Sequence, residues 1–199
     1  TDMVERNLLL AAPLEKIKPI QYTKEFRLYL TDQEKKDFRY YMEKEWIDFA
    51  RPVFLIGVTT KLLHKKWNTE FMITTLKRIL EEYKDIQMIF NYAPGYEDKE
   101  LGCPERIKID IQASSLRQLA ALCANCSFYF GNEGGARHIA QALEIPSFAI
   151  YSPSASKSMW LPANSVLARG ISPDDILLPE QQATLTYEER FALITPEKV

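Results

Sequence analysis

Residues 53 to 58 read Val-Phe-Leu-Ile-Gly-Val, with no polar interruption. A strand covered on one face alternates apolar with polar residues; a strand covered on both faces has no need to. The run therefore predicts a strand inside a sheet, with helices above and below it. Further short apolar runs follow at Ile86 to Phe90, Ile107 to Ile111, Ser127 to Phe130 and Ser147 to Tyr151. Between them lie stretches of helical spacing. Asn68 can cap a helix to about Tyr83, with Phe71, Leu76, Ile79 and Leu80 turned inward. Ser114 or Ser115 can cap a second helix to about Ala124, and Ala136 to Leu143 reads as a third. Strand alternating with helix implies βαβ units: an α/β, Rossmann-like fold, a mainly parallel sheet with helices on both faces.

The flanks carry weaker patterns. Asp2 to Ala12 is Leu-rich and predicts a short helix stopped by Pro13. Phe26 to Leu30 predicts a short strand. Thr31, with Glu34 three residues on, forms a capping box ahead of a helix running to about Phe49. Beyond Trp160 the periodicity fades, and residues 170–184, with Pro173 and Pro179, read as a surface excursion. Two parts follow: residues 1–50 as a linker and helical segment leading from another domain, and residues 51–199 as the Rossmann-like domain with a C-terminal extension. The chain starts at Thr1 and stops just after a helix-start pattern, Thr195-Pro196-Glu197, so it reads as a fragment of a longer protein.

Bulk properties remove several function classes. Charged residues make up 26% and the formal net charge is −2, so no basic field argues for nucleic acid as a partner. No apolar run approaches the ~18 residues of a membrane span, and no signal peptide is visible. The 3 cysteines are an odd, small set that suits a reducing, cytoplasmic setting. Cys123-x-x-Cys126 sits at a predicted helix end without a second pair, whereas redox pairs sit at helix starts. No metal-binding cluster and no Ser/His/Asp set stands out.

Three loops remain as carriers of chemistry, and all follow buried strands, where ligands of parallel sheets bind. Gly131-Asn132-Glu133-Gly134-Gly135-Ala136-Arg137-His138 opens a helix. Its first amides lack internal partners and suit a phosphate, with Arg137 and His138 adding positive charge. A plain Gly-rich turn is the alternative. Glu133 opposes a bare phosphate cradle and suits backbone amides or a sugar hydroxyl instead. Thr59 to Trp67 offers hydroxyls at Thr59 and Thr60 and lysines at 61, 65 and 66; it is either a diphosphate contact or a solvated basic loop. Glu97 can accept ribose hydroxyls or simply start a helix. A Gly-x-Gly-x-x-Gly fingerprint is absent after the first buried strand, which argues against a dehydrogenase.

In this order and spacing the loops resemble the C-terminal domain of glycosyltransferase family 9, the bacterial ADP-heptose:lipopolysaccharide heptosyltransferases. The likeness rests on Gly57 to Trp67 with Lys65 two before the tryptophan, on Glu97, on Ser115-Leu116, and on Gly131 to Ala142 followed by Leu143-Glu144-Ile145-Pro146. It covers residues 50–160 best. The resemblance implies the C-terminal half of a GT-B glycosyltransferase, two Rossmann-like domains facing across a cleft. It further implies that Thr59 and Thr60 lie by the phosphates and Lys65 pairs with the diphosphate. Glu97 would hold the ribose and Ser114 would flank the base. The amides of Gly134 and Gly135, with His138, would receive the phosphates, beside Glu133. The implied donor is ADP-heptose or a similar nucleotide-sugar, and the implied acceptor is a lipopolysaccharide-type glycan. Transfer would be inverting and metal-independent, with no cofactor and no catalytic residue on this chain. The base would come from the missing N-terminal domain, and the full-length protein could sit peripherally at the inner membrane. Glu133 stands where the family has Asp, Gly134 where it has Ser or Thr, and Arg137 where it has a small or apolar residue. Those departures suggest a second reading: a degenerate nucleotide-binding module without transfer.

Overall fold

The computed structural model describes residues 3–19, 21, 25–92, 106–161 and 165–199. The strands are β1 (Val53–Gly57), β2 (Gln87–Asn91), β3 (Ile107–Lys108), β4 (Phe128–Asn132), β5 (Ser147–Ile150) and β6 (Ala168–Ile171). They form one six-stranded sheet in the order β3-β2-β1-β4-β5-β6, parallel throughout. The main helices are α1 (Met3–Glu15), α2 (Asp32–Lys44), α3 (Thr69–Glu82), α4 (Leu116–Ala124) and α5 (Gly135–Ala142). Short helices α6 (Lys157–Trp160), α7 (Pro179–Gln182) and α8 (Tyr187–Ala192) follow.

The unbroken apolar run of β1 has its reason here. Leu55 and Ile56 point to opposite faces, and both are fully buried. Ile56 joins Met72, Leu76 and Leu80 of α3 with Phe90, Phe130 and Ile150 in one core. Leu55 joins Phe38 and Met42 of α2 with Leu122 of α4 and Ala140 of α5 in the other. Each such aliphatic side chain contributes about 1.5–3 kcal/mol by leaving water. Cys123 and Cys126 sit in the second core, and burial pushes the Cys123 thiol up to about 12. Neither thiol is poised for chemistry at neutral pH.

Several elements differ from the sequence expectation. α1 runs through Pro13 to Glu15, so the proline lies in the last turn of the helix instead of stopping it. Phe26 to Leu30 forms no strand; Leu28 N–H bonds the Ala142 carbonyl at 3.0 Å and Tyr29 O accepts from Arg117 at 3.3 Å, but neither bond is to a strand. The third strand shrinks to Ile107–Lys108. Residues 170–184 are a surface excursion only in part. Gly170 and Ile171 complete β6, which pairs with β5, and Ser172, Pro173 and Gln182 are buried, while most of residues 174–184 are exposed.

The capping box at Thr31 is present: its hydroxyl accepts from Glu34 N–H, and Glu34 returns a carboxylate to Thr31 N–H at 2.7 Å. α2 ends earlier than Phe49, in a Schellman motif. Ile47 N–H bonds Met42 O and Trp46 N–H bonds Glu43 O, both at 3.1 Å, with Trp46 at φ 66°. Trp46 is 82% exposed, so its ring offsets little of the left-handed strain. Trp46→Gly is therefore expected to stabilise the fold by about 1 kcal/mol. The readout is a melting temperature higher by about 2–4 °C; no rise would mean the indole packs more usefully than its exposure implies.

Candidate functional site

The strand order reverses between β1 and β4. From β1 the chain crosses to α3 on one face, and from β4 it crosses to α5 on the other. The two following loops diverge and leave a crevice at the carboxyl ends of the strands. Gly57 and Gly131 face each other at this point in the register. A Cβ on Gly131 would stand 2.4 Å from Gly57 O, and Gly131 has φ +143°, so only glycine fits. Gly131 thus belongs to the strand rather than to the turn after it. The resulting cleft, about 710 Å3, is lined by Thr59, Thr60, Lys65, Ser114, Glu133, Gly134, Gly135 and His138, among others. The described residues that the resemblance assigns to the donor all lie on it. Glu97 lies outside the described residues.

The charges in the cleft converge on Glu133. Its carboxylate is 3.7 Å from Lys65 Nζ and 3.4 Å from His138 Nε2. The His138 hydrogen bond, aided by the Lys65 charge, holds the Glu133 carboxyl below the usual carboxylate range against the opposing effect of burial. The turn Gly134-Gly135 lies beside this cluster and starts the eight-residue α5 without a side-chain cap. A Cβ at Gly134 or Gly135 would meet nothing within 4 Å, and Gly134 is extended, at φ 170°. The fold itself does not require glycine at either position. Both glycines line the cleft, and the first amides of a helix lack intrahelical partners, so they are available to a ligand there.

Arg137 is not exposed in the cleft, but its charge acts from behind the wall and helps hold Glu133 ionised. The arginine is fully buried, with Nη1 donating to Gln141 Oε1 at 2.6 Å and Nη2 to the Trp160 carbonyl at 3.0 Å. Nη2 also lies within hydrogen-bond reach of His138 Nδ1, and His138 and Ala136 line the cleft. Ser115 rather than Ser114 caps α4, accepting from Gln118 N–H at 3.1 Å. Ser114 bonds the Gln118 side chain at 2.7 Å. A second hollow of about 630 Å3 between α2 and α4 touches the main cleft at Ser114. Arg117 and Glu34 pair there, and Arg117 holds the Glu34 carboxyl down to about 2.

The family model described as glycosyltransferase family 9 (heptosyltransferase) matches residues 1–168. The chain belongs to glycosyltransferase family 9. Among solved structures, the family-9 chain is similar to the glycosyl transferase family 9 protein of Veillonella parvula DSM 2008. Identity is 15% and the TM-score 0.69, over 93% of this chain and 55% of that one. It is similar to E. coli ADP-heptose LPS heptosyltransferase II at 19% identity and TM-score 0.56, over 84% and 51%. It is similar also to E. coli heptosyltransferase WaaC, solved with ADP-2-deoxy-2-fluoro heptose, at 15% identity and TM-score 0.58, over 91% and 50%. At such identities the likeness is one of fold. The family-9 chain spans about half the length of these structures. No curated protein matches the sequence. Among the described residues, no helix is long and apolar enough to cross a membrane, and no group of His, Cys, Asp and Glu could hold a metal ion.

Sequence reasoning passed over the residue that shapes the family-9 cleft most. Asn132 is 2% exposed. Its Nδ2 donates to Gly57 O at 3.0 Å and to Val58 O at 3.1 Å, and its Oδ1 accepts from Trp67 N–H at 2.7 Å. One amide thus ties the end of β4 to the end of β1 and to the far end of the Thr59–Trp67 loop. Only a side-chain amide offers donors and an acceptor at this reach. Inside that loop, Thr60 Oγ1 donates to Leu62 O at 2.6 Å, and residues Leu63–Lys65 form a 3₁₀ turn. Trp67 is 1% exposed and anchors the loop in the core. The sequence signal for Asn132 is slight, because Gly131 directly before it makes the pair read as the start of a turn.

Proposed function

We propose that this chain is the nucleotide-sugar-binding half of a GT-B glycosyltransferase, and that it binds the diphosphate of its donor between Lys65 and the start of α5. The observation that carries the reading is convergence. Lys65, His138 and the open Gly134-Gly135 amides come from two loops far apart in sequence, and they meet at the strand-order reversal of one sheet. In this reading Thr59 and Thr60 lie along the phosphates, Ser114 lies toward the base, Glu97 holds the ribose and Glu133 meets the sugar. ADP-heptose or a similar nucleotide-sugar is the donor, and a lipopolysaccharide-type glycan is the acceptor.

The chemistry follows from those positions. An acceptor hydroxyl oxygen attacks the anomeric carbon from the side opposite the diphosphate, inverting the centre. The bond to the leaving oxygen breaks and its electron pair goes to the diphosphate. The acceptor proton goes to a carboxylate on the facing N-terminal domain. Lys65 and the α5 amides stabilise the charge growing on the leaving group, a task that fixed dipoles and cations perform well in a cleft shielded from water.

Calorimetric titration with ADP-, UDP- and GDP-sugars tests the donor pocket directly. Gly135→Ala sharpens the test. The added methyl meets no protein atom, and alanine is favoured over glycine in a helix, so stability should hold or rise by up to about 1 kcal/mol. The same methyl fills the approach to the first amides, and nucleotide affinity should fall at least about tenfold. Equal affinity in wild type and variant would move the phosphates elsewhere.

One observation favours a second reading. Glu133 already satisfies both Lys65 and His138, as a bound anion would. A degenerate module that holds a nucleotide without transferring its sugar would show this arrangement too. Binding without turnover in the complete protein separates the two.

A further inference from the structure

The turn that carries Lys65 has little stability of its own. It is three residues long, none of them buried, and Leu62 before it supplies no side-chain cap. Besides the Asn132 amide and the Lys65–Glu133 pair, two bonds reach this loop from residues beyond 168, where the family-9 match stops. Trp67 Nε1 donates to Ile194 O at 2.8 Å, and Tyr187 Oη donates to His64 O at 2.8 Å. The Tyr187 ring also meets the His64 ring edge-on, with centroids 5.8 Å apart. The support is itself firm. Tyr187 opens α8 behind a Thr186–Glu189 capping box, and Phe191 and Ile194 are buried in the core beneath the loop.

We propose that Tyr187 is a positioning residue that sets the pose of Lys65 in the cleft by holding the His64 carbonyl. The proposal rests on the donor-pocket reading above. His64 takes part through its backbone carbonyl, which the tyrosine hydroxyl reaches. The segment 187–194 thereby becomes part of the binding apparatus although it touches no ligand.

The experiment is a double-mutant cycle with ADP as the probe, read by calorimetry. Tyr187→Phe keeps the ring packing and removes the hydroxyl. ADP affinity should fall by about three- to tenfold, the value of one hydrogen bond. In a Lys65→Ala background the same substitution should change affinity by less than about twofold, because a residue acting through Lys65 has nothing left to position. Hydrogen exchange supplies a readout independent of nucleotide. The Lys65 and Lys66 amides, bonded to Leu62 O and Leu63 O at 2.8 and 2.9 Å, should exchange faster in Tyr187→Phe, while amides of α3 stay unchanged. An equal loss of affinity in both backgrounds, or unchanged exchange at Lys65 and Lys66, overturns the proposal. Absence of ADP binding in the wild type would instead strike the donor-pocket reading, and the exchange result alone would then decide the role of Tyr187.

Discussion

Replacing Asn132 with alanine is expected to destabilise the fold by about 3 kcal/mol and to release the Lys65 loop. The amide satisfies two carbonyls at the end of β1 and one amide at Trp67, all buried. Each group left without a partner costs about 1–3 kcal/mol, and water entering from the cleft recovers part of that. In a thermal melt the loss should appear as about 6–12 °C. Asn132→Asp should be at least as damaging. It keeps an acceptor for Trp67 but sets carboxylate oxygen against the Gly57 and Val58 carbonyls, where the native amide donates. A melting temperature within about 2 °C of wild type for the alanine variant would mean that water replaces the amide without loss.

Lys65→Ala should show the opposite profile, an intact fold with failed donor handling. Lys65 is partly exposed and its pair with Glu133 spans 3.7 Å, so its removal should change stability by less than about 1 kcal/mol. ADP affinity should fall about 30-fold, in line with a charge-assisted contact worth about 2 kcal/mol. Transfer in the complete protein should fall further, by about 100- to 1000-fold, because charge on the leaving diphosphate peaks in the transition state. Wild-type turnover in this variant would remove Lys65 from the reaction.

What the residue pattern disclosed, and what it hid, divides along a physical line. β1, β2 and β4 are covered on both faces, so burial writes them as apolar runs of a length that only a strand fits. The helix caps at Thr31, Asn68 and Ser115 are local chemistry, readable within four residues. β6 hid because an edge strand buries less: Arg169 faces out, and Ala168 and Ile171 alone leave too short a pattern. In the site, Thr59 to Trp67 and Gly131 to His138 were legible as loops behind buried strands. Asn132 was not, since its three partners lie 65 to 75 residues away along the chain. Arg137 misled for a related reason. Charge type suggested an exposed cleft cation, but partners such as the Trp160 carbonyl bury the side chain, and its charge reaches Glu133 from behind the wall.

The central place of β1 also bears on how this polypeptide is made. Synthesis delivers β1 and then β2, which covers one of its edges. The other edge waits for β4, and the Asn132 tie to Val58 closes only after 74 more residues have left the ribosome. Throughout that interval Val53 to Val58 presents unpaired backbone groups flanked by apolar side chains, the kind of edge on which nascent chains stick to one another. Yield in cells should therefore depend on translation speed and chaperone supply between residues 58 and 132 more than on the stability of the finished domain.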